Sequence, residues 1–550
     1  MIKRLLRNYK TYLLLIIVFA GMLRFYEINK IPASLYWDEV SQGYNAYSIS
    51  QTLKDEYGVF MPVLFKAFDD YKMPLNIYLI AVFVKAFGLN EFAVRFPSAF
   101  LGTLTVLITF FLTEELLKKS KWQMLKKHEN AIPLLSAFFL AISPWHIQFS
   151  RAGFEANISL FFITLGAYIF FKGLENYKFY ILSIISFALA CYGYRSVEIF
   201  LPVLLISFFI IWKKELLKLG KLKISIGILL FLLLTIPMLI SLIGKGSTRF
   251  NQTNITNKVD EIQLTDFQKG INVNRKILYG KIFLQNYIAE FNPQFLFFSG
   301  DPNGRQSPRG MGLLYVWELP FLLIGLYVLL RQFPFPVKSS IIVWLLAAPL
   351  PAALSIPIPH ALRSLNILPM PQVLTAIGVF YIFLLLNKNM QKIYAVVLVA
   401  IIVAFFVRYT NLYIYTNTKS NVADWADGYR QLTQYVFANE KSYDKVLITG
   451  HDWEPYIYFL FYSKYNPKAY QESGTSNGFG KYVFGGTSWD KDKNSQELGD
   501  VNPREYAGTD KKLLIALSPE EYRGQKDNIN KLADIKNHAG KIVFIIGSAK

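Results

Sequence analysis

One cysteine, Cys191, is all the chain offers in 550 residues, so no intramolecular disulfide can form and any secreted part folds without covalent staples. Histidine is scarce too: there are five, and His146, the one nearest a candidate site, has no His or Cys at ligand spacing. Acidic residues are outnumbered, 38 against 58 Lys and Arg. No internal repeat and no low-complexity tract is present. The resulting net charge of +20 would suggest nucleic acid if the basic residues formed a continuous surface. They fall instead in short clusters between apolar blocks, which is a topology signal and speaks against a nucleic-acid partner.

What is abundant is hydrophobicity. Apolar residues make up 53% of the chain and mean hydropathy is +0.29, in blocks such as 12–20, 100–112 and 224–243 with few or no charges. Several blocks reach the roughly 20 residues needed to cross a hydrocarbon core. The first, 1–21, has a basic start and an apolar run, but no small-x-small cleavage site precedes Arg24 and Phe25, so it reads as an uncleaved span.

The expected fold is mainly α, a polytopic membrane protein of about 11 spans near 11–28, 94–116, 131–148, 157–172, 179–194, 196–212, 223–243, 313–330, 339–357, 365–386 and 393–408. Lys and Arg collect in short cytoplasmic loops. With the N-terminus inside, those loops hold Lys3, Arg4, Arg7 and Lys10; Lys118, Lys119, Lys121, Lys126 and Lys127; Lys172 and Lys178; Lys213, Lys214, Lys218, Lys221 and Lys223; Arg331 and Lys338; and Lys388 and Lys392. The short outer loops hold only Arg151, Arg195 and Arg363. The apolar stretch 73–88 is too short to span and contains Lys85, so it is laid along the outer surface as a juxtamembrane helix. The C-terminus is then outside. Two domains are expected, a transmembrane part over 1–410 and a small extracytoplasmic α/β domain over 411–550. In the latter, β-like runs (445–449, 511–516, 541–546) alternate with helix-like ones (423–439, 527–535).

Candidate chemistry lies on the outer side of this topology. Tyr36-Trp37-Asp38-Glu39 follows the first span by about ten residues. Adjacent carboxylates near a membrane surface can serve as a general base or hold a cation, or can simply cap the helix over 40–53 at its positive end. Phe68-Asp69-Asp70-Tyr71-Lys72-Met73-Pro74 opens the surface helix. Lys72 suits a phosphate as a point charge and equally suits snorkelling to anionic lipid. In the outer turn between the third and fourth spans, 143–155, Arg151 and Glu155 are functional candidates because ionisable groups at a span end need a cavity or a partner. The alternative is a structural pair at i,i+4 helical spacing. His146 reads as an interfacial hydrogen-bonder. Tyr192, Tyr194 and Arg195, the run 300–305 with Arg305, then Arg309, Glu318, His360 and Arg363 complete the outer-face set. The many aromatic residues offer surface for stacking on sugars or anchoring at interfaces.

In order and spacing these features resemble the GT-C class of polyprenyl-phosphate-sugar-dependent transferases, near the protein O-mannosyltransferases and the aminoarabinose transferases. The matching elements are the outer-loop Asp38-Glu39, the Lys72-Met73-Pro74 turn before a surface helix, Arg95-Phe96-Pro97-Ser98 at the next span, and the Ser150–Glu155 outer turn. The resemblance covers about 10–410 and is strongest over 30–175. It departs where the turn reads Lys-Met-Pro and where Glu155 stands in place of Asp. It implies a glycosyltransferase that moves a sugar from a polyprenyl-phosphate donor to a protein, lipid or glycan acceptor. Asp38 would be the base, with Glu39 and Glu155 near it. Lys72, Arg151 and Arg195 would hold the donor phosphate, and Tyr71, Tyr194, Arg305, His360 and Arg363 would line the substrate site. Lys and Arg can balance a monophosphate, so no metal or other cofactor is required, although Asp38 with Glu155 could take a divalent cation. The enzyme would sit in the plasma membrane among its lipids, with its active site extracytoplasmic. Two other classes remain. A transporter or flippase should show midplane charges in two related halves. A membrane-anchored binding module would work through its tail alone.

Overall fold

The computed structural model describes residues 8–68, 70–120, 130–244, 254–268, 274–450, 454–485, 503–508 and 511–550. Asp69 and the basic residues Lys3, Arg4, Arg7, Lys121, Lys126 and Lys127 lie outside the described residues, as do parts of the long outer loop and of the tail. The helices used below are α1 (Tyr9–Phe25), α2 (Trp37–Thr52), α3 (Pro74–Phe87), α4 (Glu91–Lys118), α5 (Ala131–Ile142), α6 (Pro144–Arg151), α7 (Glu155–Gly173), α8 (Glu318–Gln332), α9 (Met370–Leu385), α10 (Tyr429–Asn439) and α11 (Pro455–Ser463).

The chain forms two compact units. Unit one comprises Met1–Tyr26, Asp69–Asn76 and Pro97–Tyr413; unit two comprises Glu27–Phe68, Ile77–Phe96 and Ile414–Lys550. The expected boundary near residue 410 is close to the last of these divisions, but unit two also takes in two stretches from the first hundred residues, which a single boundary does not describe.

Unit one is helical. Among the described residues six helices are long and apolar enough to cross a membrane, and a seventh span results if α5 and α6, bent by 56° at their junction, are taken together. Others expected as spans are shorter apolar helices, such as Tyr177–Cys191 and Val197–Ile211, and α3 is likewise a short apolar helix. The bend between α5 and α6 has a local cause. A residue before proline is pushed out of the helical region, and Ser143 before Pro144 has φ −60° and ψ 123°. Ser143 then caps the new helix by accepting the His146 N–H, and Pro144 fits the first helical position because its missing N–H has no partner to lose. Elsewhere α8 and α9 approach until backbone touches backbone. A Cβ on Gly325 would lie 1.9 Å from the Leu374 carbonyl oxygen, and one on Gly378 would lie 1.9 Å from that of Phe321. Small residues permit such contact between apolar helices.

Unit two is built on a six-stranded sheet: β1 (Lys445–Ile448), β2 (Gly478–Phe479), β3 (Tyr482–Phe484), β4 (Leu513–Leu517), β5 (Ile529–Lys536) and β6 (Ile542–Ala549), in the order β2-β3-β1-β4-β6-β5. β1 runs parallel to β3 and β4, while β6 is antiparallel to β4 and β5. Central strands covered on both faces read as unbroken apolar runs, and all five residues of β4 are buried. Val446, Ile448, Leu514 and Ala516 join one core with Tyr429 and Tyr458, and the alternate residues Leu447, Leu513, Ile515 and Leu517 join another. The three β-like runs of the tail are strands. The helix expected over 527–535 is instead the edge strand β5: only Ile529 and Ile535 are buried, and its Lys and Asp residues give a polar edge that the sequence disguises as a helix face. Within the helix-like 423–439, only α10 is helical.

Glu56, in unit two, is 1% exposed. It accepts one hydrogen bond from Asn45 Nδ2 at 3.3 Å, while its Oε2 is buried without a partner among the described residues. Burial, and secondarily Asp55 and Glu454, pushes its carboxyl up to about 8.

Two predictions follow from this packing. Gly325→Val forces α8 and α9 apart, and overpacking of this kind costs about 2 kcal/mol or more; the detergent-solubilised protein should melt several degrees lower. Glu56 has a folded pKa above its unfolded one, so its stabilisation is complete below about pH 4.5 and is lost as pH rises through about 8. Thermal melts from pH 5 to 9 should fall more steeply for the wild type than for Glu56→Gln, and parallel curves would refute this assignment.

Candidate active site

Asp38 and Glu39 occupy the first turn of α2, where unsatisfied N–H groups favour negative charge. The two carboxylates differ in what surrounds them. Glu39 is buried and accepts the Tyr36 N–H through Oε2 at 3.1 Å. It is also gripped by Arg95, with Nε donating to Oε1 at 2.9 Å and Nη2 to Oε2 at 3.2 Å. The Arg95 guanidinium further donates to the carbonyls of Ile28 (2.9 Å), Pro32 (3.0 Å) and Ser34 (2.6 Å). Asp38 is half-buried. Trp37, just before it, stacks on Phe68 with ring centroids 4.9 Å apart. All of these residues belong to unit two.

Lys72, Arg195, Tyr71 and Tyr194 belong to unit one, and three of them converge. Lys72 Nζ lies 3.5 Å from Asp70 Oδ2; Arg195 Nη2 lies 3.9 Å from Asp70 Oδ1 and donates to the Tyr71 carbonyl at 3.2 Å. Lys72 and Arg195 thus both approach the Asp70 carboxylate, and Glu198 also lies in the field of Arg195. Pro74 starts α3 directly after this cluster, and Leu75 N–H donates to the Tyr192 carbonyl at 3.0 Å, tying the Lys-Met-Pro turn to the segment that carries Tyr194 and Arg195. Asn76 Nδ2 reaches the Gly153 carbonyl at 3.3 Å.

Arg151 and Glu155 are not a pair on one helical turn: Arg151 ends α6 and Glu155 begins α7, with extended backbone at Ala152 and Phe154 between them. The Arg151 guanidinium donates to the carbonyls of Leu23 and Tyr26 and lies 5.3 Å from the Tyr413 ring centroid. Arg24, which we did not single out from the sequence, does similar work. It donates to Ala20 O (3.0 Å), Ala141 O (3.2 Å) and Leu140 O (3.4 Å), and its Nη2 lies 2.6 Å from His146 Nδ1. Because arginine only donates, Nδ1 of His146 is the acceptor and its proton sits on Nε2. The signal that could have found Arg24 was its place, a charge at the end of an apolar span.

Arg305, His360 and Arg363 belong to a loop brace of unit one, whereas Glu318 opens α8 and accepts the Tyr315 N–H at 3.1 Å. Glu290 Oε1 accepts the His360 N–H at 3.0 Å and Oε2 the Ser364 hydroxyl. Asp301 Oδ2 accepts the Ala361 N–H at 2.8 Å, and Gln306 Oε1 the Leu362 N–H at 3.1 Å. Burial is the first cause that pushes the Glu290 carboxyl up to about 7 and raises that of Asp301. His360 and Arg363 are thereby held beside the segment carrying Arg305, whose carbonyl accepts Gln148 Nε2 at 2.7 Å. Arg363 Nη1 donates to Ser355 Oγ (2.8 Å) and Ile356 O (2.9 Å). Among the described residues, no three His, Cys, Asp or Glu side chains form a group suited to a metal ion.

Removing one partner of a buried ion pair strands the other, at about 3–5 kcal/mol. Arg95→Met should therefore destabilise the protein strongly, and Glu39→Gln combined with it should add little, because the two changes break one interaction. Thermal melts of the four proteins give the coupling, and simple additivity would show that the pair does not act as a unit.

Residues 14–245 match the family described as dolichyl-phosphate-mannose-protein mannosyltransferase. Comparison with curated proteins finds no match. Among solved structures the chain is similar to ArnT from Cupriavidus metallidurans in the apo state, at 10% identity and a TM-score of 0.57 with 98% of each chain covered. The same protein bound to undecaprenyl phosphate matches at 11% and 0.55, again over 98% of each chain. The oligosaccharyltransferase of Archaeoglobus fulgidus, tethered with an acceptor peptide, matches at 13% and 0.52, over 98% of this chain and 74% of that one. The chain thus shares the fold of these proteins along nearly its whole length and resembles the GT-C glycosyltransferases of the O-mannosyltransferase and aminoarabinose transferase type, as its motifs led us to expect.

Proposed function

We propose that the protein is an integral-membrane glycosyltransferase that moves a sugar from a polyprenyl-phosphate donor to an acceptor on the extracytoplasmic face of the plasma membrane. The observation that carries this reading is the asymmetry of the acidic pair. Glu39 is committed to Arg95, whereas Asp38 is half-buried at the same helix start, so a carboxylate is held in place by a neighbour that takes no part in chemistry. Asp38 then accepts the proton of the acceptor hydroxyl or amine as that atom attacks the anomeric carbon. The bond from the anomeric carbon to the phosphate oxygen breaks, and the lipid phosphate leaves with the electron pair. Lys72 and Arg195 balance its charge, with Arg151 in support. A single displacement inverts the anomeric centre and needs no protein nucleophile and no metal. We assign Glu155 a supporting part in catalysis and Tyr71, Tyr194, Arg305, His360 and Arg363 to substrate binding.

Support for the outer side comes from the distribution of Lys and Arg among the loops. The match over 14–245 contains Asp38, Lys72, Arg151, Glu155 and Arg195, and ArnT and the oligosaccharyltransferase provide precedents for binding a lipid phosphate and an acceptor peptide respectively.

Transfer from a radiolabelled polyprenyl-phosphate sugar in membranes tests the assignment. Asp38→Asn should lower kcat by about 10²-fold or more, the usual worth of a positioned base. Lys72→Ala should lower kcat and weaken the donor's apparent binding together. Full activity in both variants would remove these residues from the mechanism.

A further inference from the structure

A pocket of about 280 Å³ lies wholly within unit two, among the turn before α4, the outer face of α10 and the end of α11. None of its residues is among those assigned above to transfer. Its apolar lining is Leu89 with the aromatic side chains Phe437, Phe461 and Tyr462, of which Phe437 and Tyr462 are partly exposed and Phe461 is buried. Phe461 is held edge-on to Tyr462 at 5.1 Å, and the Tyr462 phenol lies in the field of Glu91, Arg430 and Arg95. The polar surface is built from long side chains. Glu91 Oε1 and Arg430 Nη1 are 3.4 Å apart, and among the described residues that is the only partner of the Arg430 guanidinium, a group with five N–H donors. Gln434 also lines the pocket, solvent-exposed and with no partner for its amide among the described residues. Lys464 stands at the rim, in the left-handed conformation (φ 52°) that ends α11.

We propose that this pocket binds a single sugar ring, a neutral pyranose, as a carbohydrate subsite separate from the transfer residues. A pyranose has C–H faces that pack on aromatic rings and a rim of hydroxyls, each both donor and acceptor, that suits an amide, a carboxylate and a guanidinium placed side by side. The carboxylate argues for an occupant that carries hydroxyls. Glu91 offsets one of the two cations, and its oxygens accept from sugar hydroxyls but repel a phosphate. Size argues in the same direction, since the volume is just below the range of about 300–1,000 Å³ typical of drug-sized ligands. A peptide would need a row of backbone partners, whereas the donors and acceptors identified here are side chains. Binding does not depend on the transfer reaction.

The test is saturation-transfer NMR on the full chain in lipid nanodiscs, with methyl glucoside, methyl galactoside, methyl mannoside and N-acetylglucosamine as separate probes. Inorganic phosphate and acetyl-trialanine amide are the controls. At least one sugar should show ring-proton saturation that falls five-fold or more in Gln434→Trp, which fills the pocket from an exposed position, and in Arg430→Met. The signal should persist in Asp38→Asn, which separates this site from the transfer site. No response from any sugar, a response unchanged by both pocket variants, or a response confined to phosphate or peptide would overturn the proposal. If Arg430→Met melts early, Gln434→Trp alone decides.

Discussion

Arg95 holds together a piece of chain that cannot hold itself. Between the end of α1 and the start of α2 the backbone forms turns and bends, so its carbonyls have no ladder to join. Three of them, at Ile28, Pro32 and Ser34, are taken up by one guanidinium that also clasps both oxygens of Glu39. Buried ion pairs contribute little net stability compared with a well-packed apolar replacement, but once present they fix geometry, because every alternative leaves a charge stranded. The first turn of α2, and with it Asp38, is located by this arrangement.

Unit one repeats the device with different arginines. Arg24 and Arg151 both direct their donors to carbonyls near helix ends, the negative poles of those helices. Lys72 and Arg195 are different: both approach a side-chain carboxylate, that of Asp70. The cations of the candidate site therefore divide into anchors, which meet backbone dipoles, and a smaller set that meets side-chain carboxylates. That division is why we place donor phosphate chiefly with Lys72 and Arg195.

The helical membrane class, the short apolar helix α3 and three of the tail strands were legible in the sequence because each is written in a run of local residues. The convergence of Lys72 with Arg195 was legible only as shared sidedness; their approach to Asp70 depends on the tie between Leu75 and Tyr192, more than a hundred residues apart. Arg95 was visible as part of a motif, yet its role was not, since its partners are carbonyls and carbonyls leave no trace in side-chain patterns. β5 misled for the opposite reason: its polar alternation belongs to an edge strand but has the composition of an exposed helix. Arg151 and Glu155 looked like helical neighbours because spacing alone does not reveal that a chain breaks between them.

The contacts of Arg24 bear on how the molecule is made. Its partners at Leu140, Ala141 and His146 are 116, 117 and 122 residues further along the chain, and only its Ala20 acceptor lies on α1 itself. In hydrocarbon such a charge is tolerated only near the headgroups or against other protein. The guanidinium therefore gains most of its acceptors only once α5 and α6 pack beside α1. The place of α1 in unit one is thus fixed by a segment more than a hundred residues further along the chain.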